Sequence, residues 1–231
     1  FLYSTTSFLL NKKTEKYLTT LCMSRLIAII GAITGWSAVG IQFYLMMINR
    51  TASIPETIIR FFSFFTILTN ILVAASFTAH VIFRKDRAKF SRRQGTLAAI
   101  AVYITIVGLI YNLVLRSLWE PQGLQRVVDE LLHSVIPVLF VFYWLVFVPK
   151  DRLVWKDSFS WLAYPLVYLL CILCRGAITG FYPYPFVNVS EIGYGKVLVN
   201  SMFIAGTFRL FSFLFIALSK FNTGKSPEAI E

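Results

Sequence analysis

Charge is scarce in this sequence, and acid is scarcer than base. Charged residues make up 14% of the 231, with 11 Asp and Glu against 22 Lys and Arg, and only two of the residues are histidine. Soluble domains carry nearly twice that share of charge. With 57% hydrophobic residues and a mean hydropathy of +0.70, a soluble fold of this length would have too little polar surface to cover its apolar residues, so the excess must face lipid. Cysteine is equally sparse. Cys22, Cys171 and Cys174 are an odd number, two of them inside an apolar run, which excludes a disulfide framework. Cys171 and Cys174 form a C-x-x-C with no second pair or histidine cluster, so they read as helix-packing thiols and neither a metal nor a cofactor is expected. There is also no internal period of the kind that marks repeat architectures.

The sequence is rich in long apolar runs. They occupy about 26–48, 61–83, 96–115, 131–148, 160–178 and 197–219, each near the roughly 20 residues that cross a bilayer. The expected fold is therefore an all-α membrane protein, a bundle of six transmembrane helices. Residues 1–24 form a cytoplasmic lead-in, too weakly apolar for a seventh span; 25–219 form the transmembrane domain, and 220–231 a cytoplasmic tail. The net charge of +11 does not indicate nucleic acid, because no basic patch stands clear of the spans. Its distribution indicates topology instead. Fifteen Lys and Arg fall on the N-terminal segment, the second and fourth loops and the tail, six of them within 84–93, against five on the other loops. Positive charge stays inside, so both ends are expected in the cytoplasm. Trp119, Tyr182, Tyr184 and Tyr194 then fit an aromatic belt on the outer face. The N-x-[ST] sequons at Asn49 and Asn188 fall on outer loops, where they matter only in a host that glycosylates.

That orientation assigns depth to the polar residues inside the spans, which are costly there and turn toward the bundle interior. Ser63, Thr66 and Asn70 share one helix face, with Thr69 at its border. Thr105, Asn112 and Arg116 form a rising stripe. His133 lies within a turn of the outer end of its span, preceded by Asp129 and Glu130, and Arg175 and Thr179 lie near the outer end of theirs. Thr66, Asn112, His133 and Arg175 thus share a level in the outer leaflet. Each also has a purely structural reading. Threonine bonds back to a carbonyl four residues earlier, asparagines tie helices together, and arginine snorkels to headgroups. Arg209, deeper in the last span, needs an internal partner.

A threonine hydroxyl becomes a nucleophile when a base takes its proton, and imidazole does so near neutral pH. Thr66 and His133 would form a minimal acyl-transfer dyad if they meet. Asp129 or Glu130 would orient the ring, and Asn70, Asn112 or Arg175 would stabilise an oxyanion. The depth points to an ester carbonyl just below the outer headgroups, carried by a lipid or fatty-acyl molecule.

Three segments carry a family resemblance: Arg60-Phe-Phe-Ser-Phe-Phe-Thr66-Ile-Leu-Thr69-Asn70, Leu132-His133-Ser-Val-Ile-Pro137, and Thr179-Gly180-Phe-Tyr-Pro-Tyr184-Pro185-Phe186. Together they resemble the androgen-induced-gene family, which includes the androgen-dependent TFPI-regulating protein and bacterial relatives. The resemblance implies six spans and a threonine hydrolase acting on fatty-acid esters of hydroxy fatty acids, with Thr66 as nucleophile and His133 as base. It spans the second to fifth runs and departs in places. The animal pattern has one more residue between His and Pro, Thr69 offers a second alignment for the nucleophile, and Phe-Thr-Ile-Leu-Thr-Asn is closer to the bacterial branch. A bacterial plasma membrane is the implied location. Two other classes stay open: a small-solute or proton-coupled transporter, against which the mostly apolar cytoplasmic halves and the lack of an evident inverted repeat or broken-helix pair count, and a non-catalytic lipid-binding protein.

Overall fold

A computed structural model describes residues 2–83, 94–118 and 120–223. The basic run 84–93, Trp119 and residues 224–231 lie outside the described residues. Among the described residues the chain is helical. Six helices are long and apolar enough to cross a membrane: Leu18–Ile48, Phe65–Ile82, Gln94–Leu115, Gly123–Phe147, Asp157–Thr179 and Val189–Phe221. The chain is an all-α bundle of six such helices. In chain order the elements are α1 (Leu2–Ile48), α2 (Ile54–Phe62), α3 (Phe65–Ile82), α4 (Gln94–Ile110), α5 (Gly123–Glu130), α6 (Ile136–Phe147), α7 (Asp157–Ser160), α8 (Ala163–Thr179) and α9 (Val189–Thr223).

α4 stands at the centre, with 61% of its apolar window buried, whereas α8 and α9 lie at the periphery with 11% and 22%. Lipid is as apolar as leucine, so helices in a membrane associate through close packing rather than water exclusion. Gly31 and Gly35 on α1 supply that closeness. A Cβ on Gly31 would collide with the Phe77 ring of α3, and one on Gly35 would press on Ala74. Phe77, Phe140 and Tyr143 pack together between α3 and α6, with Phe77 against Gly31 of α1, while Trp144 packs on Phe215 of α9; all four are almost fully buried.

The second span departs from the expected single helix over 61–83. α2 ends at Phe62, Ser63 closes its last turn with a bond to the Arg60 carbonyl (3.0 Å), and Phe64 is extended (φ −84°, ψ 124°) before α3 begins. A break inside a membrane leaves backbone groups that only side chains can satisfy. Tyr168 of α8 does so twice, donating its hydroxyl to the Ser63 carbonyl (2.7 Å) and accepting from the Phe65 N–H (3.2 Å). Tyr184 accepts from the Thr66 N–H (3.3 Å). Pro55 falls in the first turn of α2, where its missing N–H costs nothing.

Two further irregularities face each other. Tyr111–Leu115 after α4 and Leu131–Val135 between α5 and α6 are single π turns, in which each N–H reaches five residues back. The Ile136 N–H thus bonds to Leu131 and not to Leu132, and Pro137 has no N–H for the carbonyl of His133. Two consecutive carbonyls are left without ladder partners.

Cys171 and Cys174 lie exposed on the outer side of α8, so the expectation that they pack against a neighbouring helix does not hold. Arg209 lies over the rings of Phe159 (3.5 Å) and Phe213 (4.7 Å), so its internal partner is aromatic.

Candidate functional site

The two freed carbonyls organise the site. Asn70 of α3 donates to the Leu132 carbonyl (3.2 Å) and, one turn back on its own helix, to Thr66 (2.9 Å). Asn112, in the first π turn, donates to the His133 carbonyl (3.3 Å) and to Gly108 (2.8 Å). A side-chain amide carries two N–H donors, and both asparagines spend both of theirs on backbone carbonyls. They join Thr66 and His133 into one hydrogen-bonded level, and the reading of asparagine as interhelical tie describes them better than that of oxyanion donor. Measured from the helix ends opposite, at about 1.5 Å per residue, Thr66 stands about 24 Å above Ile82, His133 about 21 Å above Phe147 and Asn112 about 27 Å above Gln94.

His133 is fixed on two sides. Its Nδ1 lies 2.9 Å from the Asp129 main-chain carbonyl, and its ring stacks flat on Tyr111 with centroids 3.9 Å apart and planes 9° from parallel. A carbonyl only accepts, so Nδ1 carries the proton and the lone pair is on Nε2. The orienting group is therefore the backbone of Asp129, not a carboxylate. The Asp129 side chain accepts from Gln125 (3.2 Å), while Glu130 pairs with Arg116 and accepts from Ser134 (2.9 Å).

The Thr66 hydroxyl lies 3.4 Å from the Tyr184 hydroxyl. Among the described contacts it makes no direct hydrogen bond to His133. Tyr184 is held in place by its stack on Phe186 (5.1 Å) and its edge contact with Phe64 (5.8 Å). Burial pushes its phenol above the ordinary tyrosine value, so it keeps its proton at neutral pH. Thr69 is fully buried, meets Tyr164 at 3.5 Å, and lines neither of the two cavities at this level.

Two cavities adjoin at this level. A vestibule of about 820 Å³ is walled by residues such as Gln42, Asn49, Arg60, Phe64, Glu120 and Pro183. The loops that follow α1, α4 and α8 meet there. A slot of about 90 Å³ runs between α4, α8 and α9 and is lined by Ile106, Val107, Leu166, Leu169, Ala205 and Phe208, among others. Thr66, Leu115, His133 and Tyr184 line both. Three of the four are polar, and they stand where the wide vestibule, which carries more polar groups, narrows into the almost wholly apolar slot.

Arg175 belongs elsewhere. It lines neither cavity and bonds to Glu56 of α2 (2.7 Å), which also takes Arg60 (2.7 Å), and both guanidiniums lie over the Phe181 ring. Arg60 first and Arg175 with it hold the Glu56 carboxyl below its usual value. This ion pair replaces the snorkelling expected of Arg175. Sequence reasoning did not assign Tyr111 or Tyr168 to the site. An aromatic in an aromatic-rich span carries no signal of its own until the π turn and the helix break give it a partner.

No family model, curated protein or solved structure matches the chain.

Proposed function

We propose that the chain is an intramembrane threonine hydrolase that cleaves a lipid ester, with Thr66 as nucleophile and His133 as base. The observation that carries the reading is the position of Thr66, His133 and Tyr184 at the junction of the vestibule and the slot. An ester lying across that junction would place its acyl chain in apolar surroundings, its carbonyl beside Thr66 and its alcohol portion toward water. The resemblance to the androgen-induced-gene family supports the same two residues. It suggests fatty-acid esters of hydroxy fatty acids as the substrate class and a bacterial plasma membrane as the location. The charge distribution puts the vestibule on the outer side.

In this mechanism Nε2 of His133 takes the Thr66 proton as Oγ1 attacks the ester carbonyl carbon. The oxyanion that forms accepts from the Tyr184 O–H, near the partial positive charge at the start of α3. Collapse breaks the ester C–O bond, and His133 returns its proton to the departing alcohol. A water from the vestibule, deprotonated by His133, then attacks the acyl-threonine. The fatty acid leaves and the Thr66 hydroxyl regains a proton.

A second reading, a lipid-binding protein without chemistry, draws on the Thr66 hydroxyl meeting Tyr184 and not the imidazole. A fluorophosphonate probe separates the two. Wild-type protein in detergent is expected to be labelled and Thr66→Ala not, with His133→Ala folded but slowed by roughly 10²–10⁴-fold. Equal labelling of wild type and Thr66→Ala would remove Thr66 as nucleophile, and no labelling or turnover with any acyl ester would favour the non-catalytic reading.

A further inference from the structure

We infer that the slot is a single-chain acyl site entered sideways from the membrane between α8 and α9, and that Ser201 and Ala205 set its width. The inference rests on the hydrolase reading for the carbonyl's position, but not for the slot itself.

The slot lies against the two most peripheral spans of the bundle, α8 and α9. From α8 and the residue that caps it come Leu162, Pro165, Leu166 and Leu169, the i, i+3, i+4, i+7 stripe of one helix face. That stripe covers roughly 10 Å at the helical rise. Leu166 is 46% exposed on the bundle surface although it lines the slot, so this wall adjoins the membrane directly. From α9 come Ser201 and Ala205, one turn apart, followed by Phe208. The Ser201 hydroxyl is satisfied by the Val197 carbonyl (2.7 Å), so it presents little polarity to a ligand. Phe208 packs edge-on against Phe65 (ring centroids 5.8 Å apart) and is nearly buried, which closes one end. The opposite end opens on Thr66, His133 and Tyr184. The walls are therefore apolar, one end is shut, one end holds the polar groups and one flank is lipid. A linear chain with a polar group at its end fits that outline. At about 90 Å³ against about 820 Å³ for the vestibule, the slot has no room for two chains side by side.

The test uses the full chain in detergent micelles and two readouts. The first is photolabelling by a palmitic acid with a terminal diazirine, mapped by peptide mass spectrometry. Adducts are expected on 162–169 and 204–208, and they are expected to disappear in Ala205→Phe. The second is the ratio of p-nitrophenyl palmitate to p-nitrophenyl acetate hydrolysis, which is expected to fall by about tenfold or more in Ala205→Phe. Ser201→Leu is the milder variant, expected to move both readouts the same way should Ala205→Phe not fold. Adducts spread equally over the lipid-facing Leu170 and Ile178 would overturn the inference, and so would labelling and a ratio that neither variant changes. Slot labelling without hydrolysis of either ester would leave the slot standing and remove the hydrolase reading. Hydrolysis of both esters with labelling elsewhere would do the reverse.

Discussion

Asn70 and Asn112 act alike from different helices. Each donates once to its own helix and once to a carbonyl freed by the second π turn. Their contribution is to hold the His133 segment, and substitution should expose that. Asn70→Asp would set a carboxylate against two carbonyls in a fully buried position. The expected loss is about 3–5 kcal/mol, the cost of an uncompensated buried charge, read as a collapse of the thermal transition in detergent before any assay of turnover. Tyr184→Phe is the contrasting case. It keeps the ring that packs on Phe64 and Phe186 and removes only the hydroxyl beside Thr66. On the proposed mechanism, steady-state kinetics should show kcat down by about 10²–10³-fold with KM nearly unchanged, because a donor to the oxyanion acts in the transition state. A matching fall in melting temperature would assign Tyr184 to the helix break instead. At this scale Thr66 and His133 were legible because a polar side chain inside an apolar run is conspicuous and its depth can be counted. The tasks of Asn70, Asn112 and Arg175 were not legible. They depend on which carbonyls and carboxylates stand unpaired nearby, and hydropathy carries no trace of that.

The elements that matter most are the irregular ones. The extended Phe64 lets Thr66 begin a helix instead of lying within one, and the Pro137 ring together with the π turn frees two carbonyls. Pro137 is visible in the sequence. The break at Ser63–Phe64 is not, since Phe-Phe-Ser-Phe-Phe contains neither glycine nor proline and its unpaired groups are satisfied by Tyr168 and Tyr184, more than 100 residues away. The outer loop depends on a similarly remote fit. Gly180 takes the left-handed conformation (φ 71°) that ends α8, and the Tyr182 ring then folds back onto Gly176. A methyl group at Gly176 would occupy the space of that ring. Gly176→Ala should therefore displace the 180–187 loop that carries Tyr184 and lower turnover, while the helical circular dichroism stays at its wild-type value. An unchanged rate would separate the loop's anchor from the site.

For the whole molecule, the count of six spans and their approximate limits were readable from apolar runs, because bilayer thickness sets a length that sequence must meet. The packing order was less so. α4 is central and α8 peripheral, although both are runs apolar enough to cross a membrane. Stability should also respond to pH through one buried base outside the spans. Lys150 donates to the Leu145 and Val148 carbonyls over the Trp144 ring, and burial pushes its ammonium from 10.5 down to about 8. The folded chain then releases this proton at lower pH than the unfolded chain. Between about pH 8 and 10.5 the unfolded state binds more protons, so this group's contribution to stability rises with pH across that window and is flat below it. Melting temperatures of wild type and Lys150→Met, compared from pH 7 to 10.5, should diverge in slope only above about 8.

A π turn is in effect one surplus residue in an otherwise ordinary helix. Removing a residue from 131–135 would let the flanking helices rejoin in phase, so the bundle can tolerate the deletion. If Leu131 is the residue removed, the Ile136 N–H returns to the Leu132 carbonyl while the His133 carbonyl still faces Pro137, and His133 loses the offset that sets it against Tyr111. A chain of this architecture is therefore one codon away from a membrane protein with the same shape and a differently facing His133, and likeness of fold alone is a poor guide to what stands at this level of the bundle.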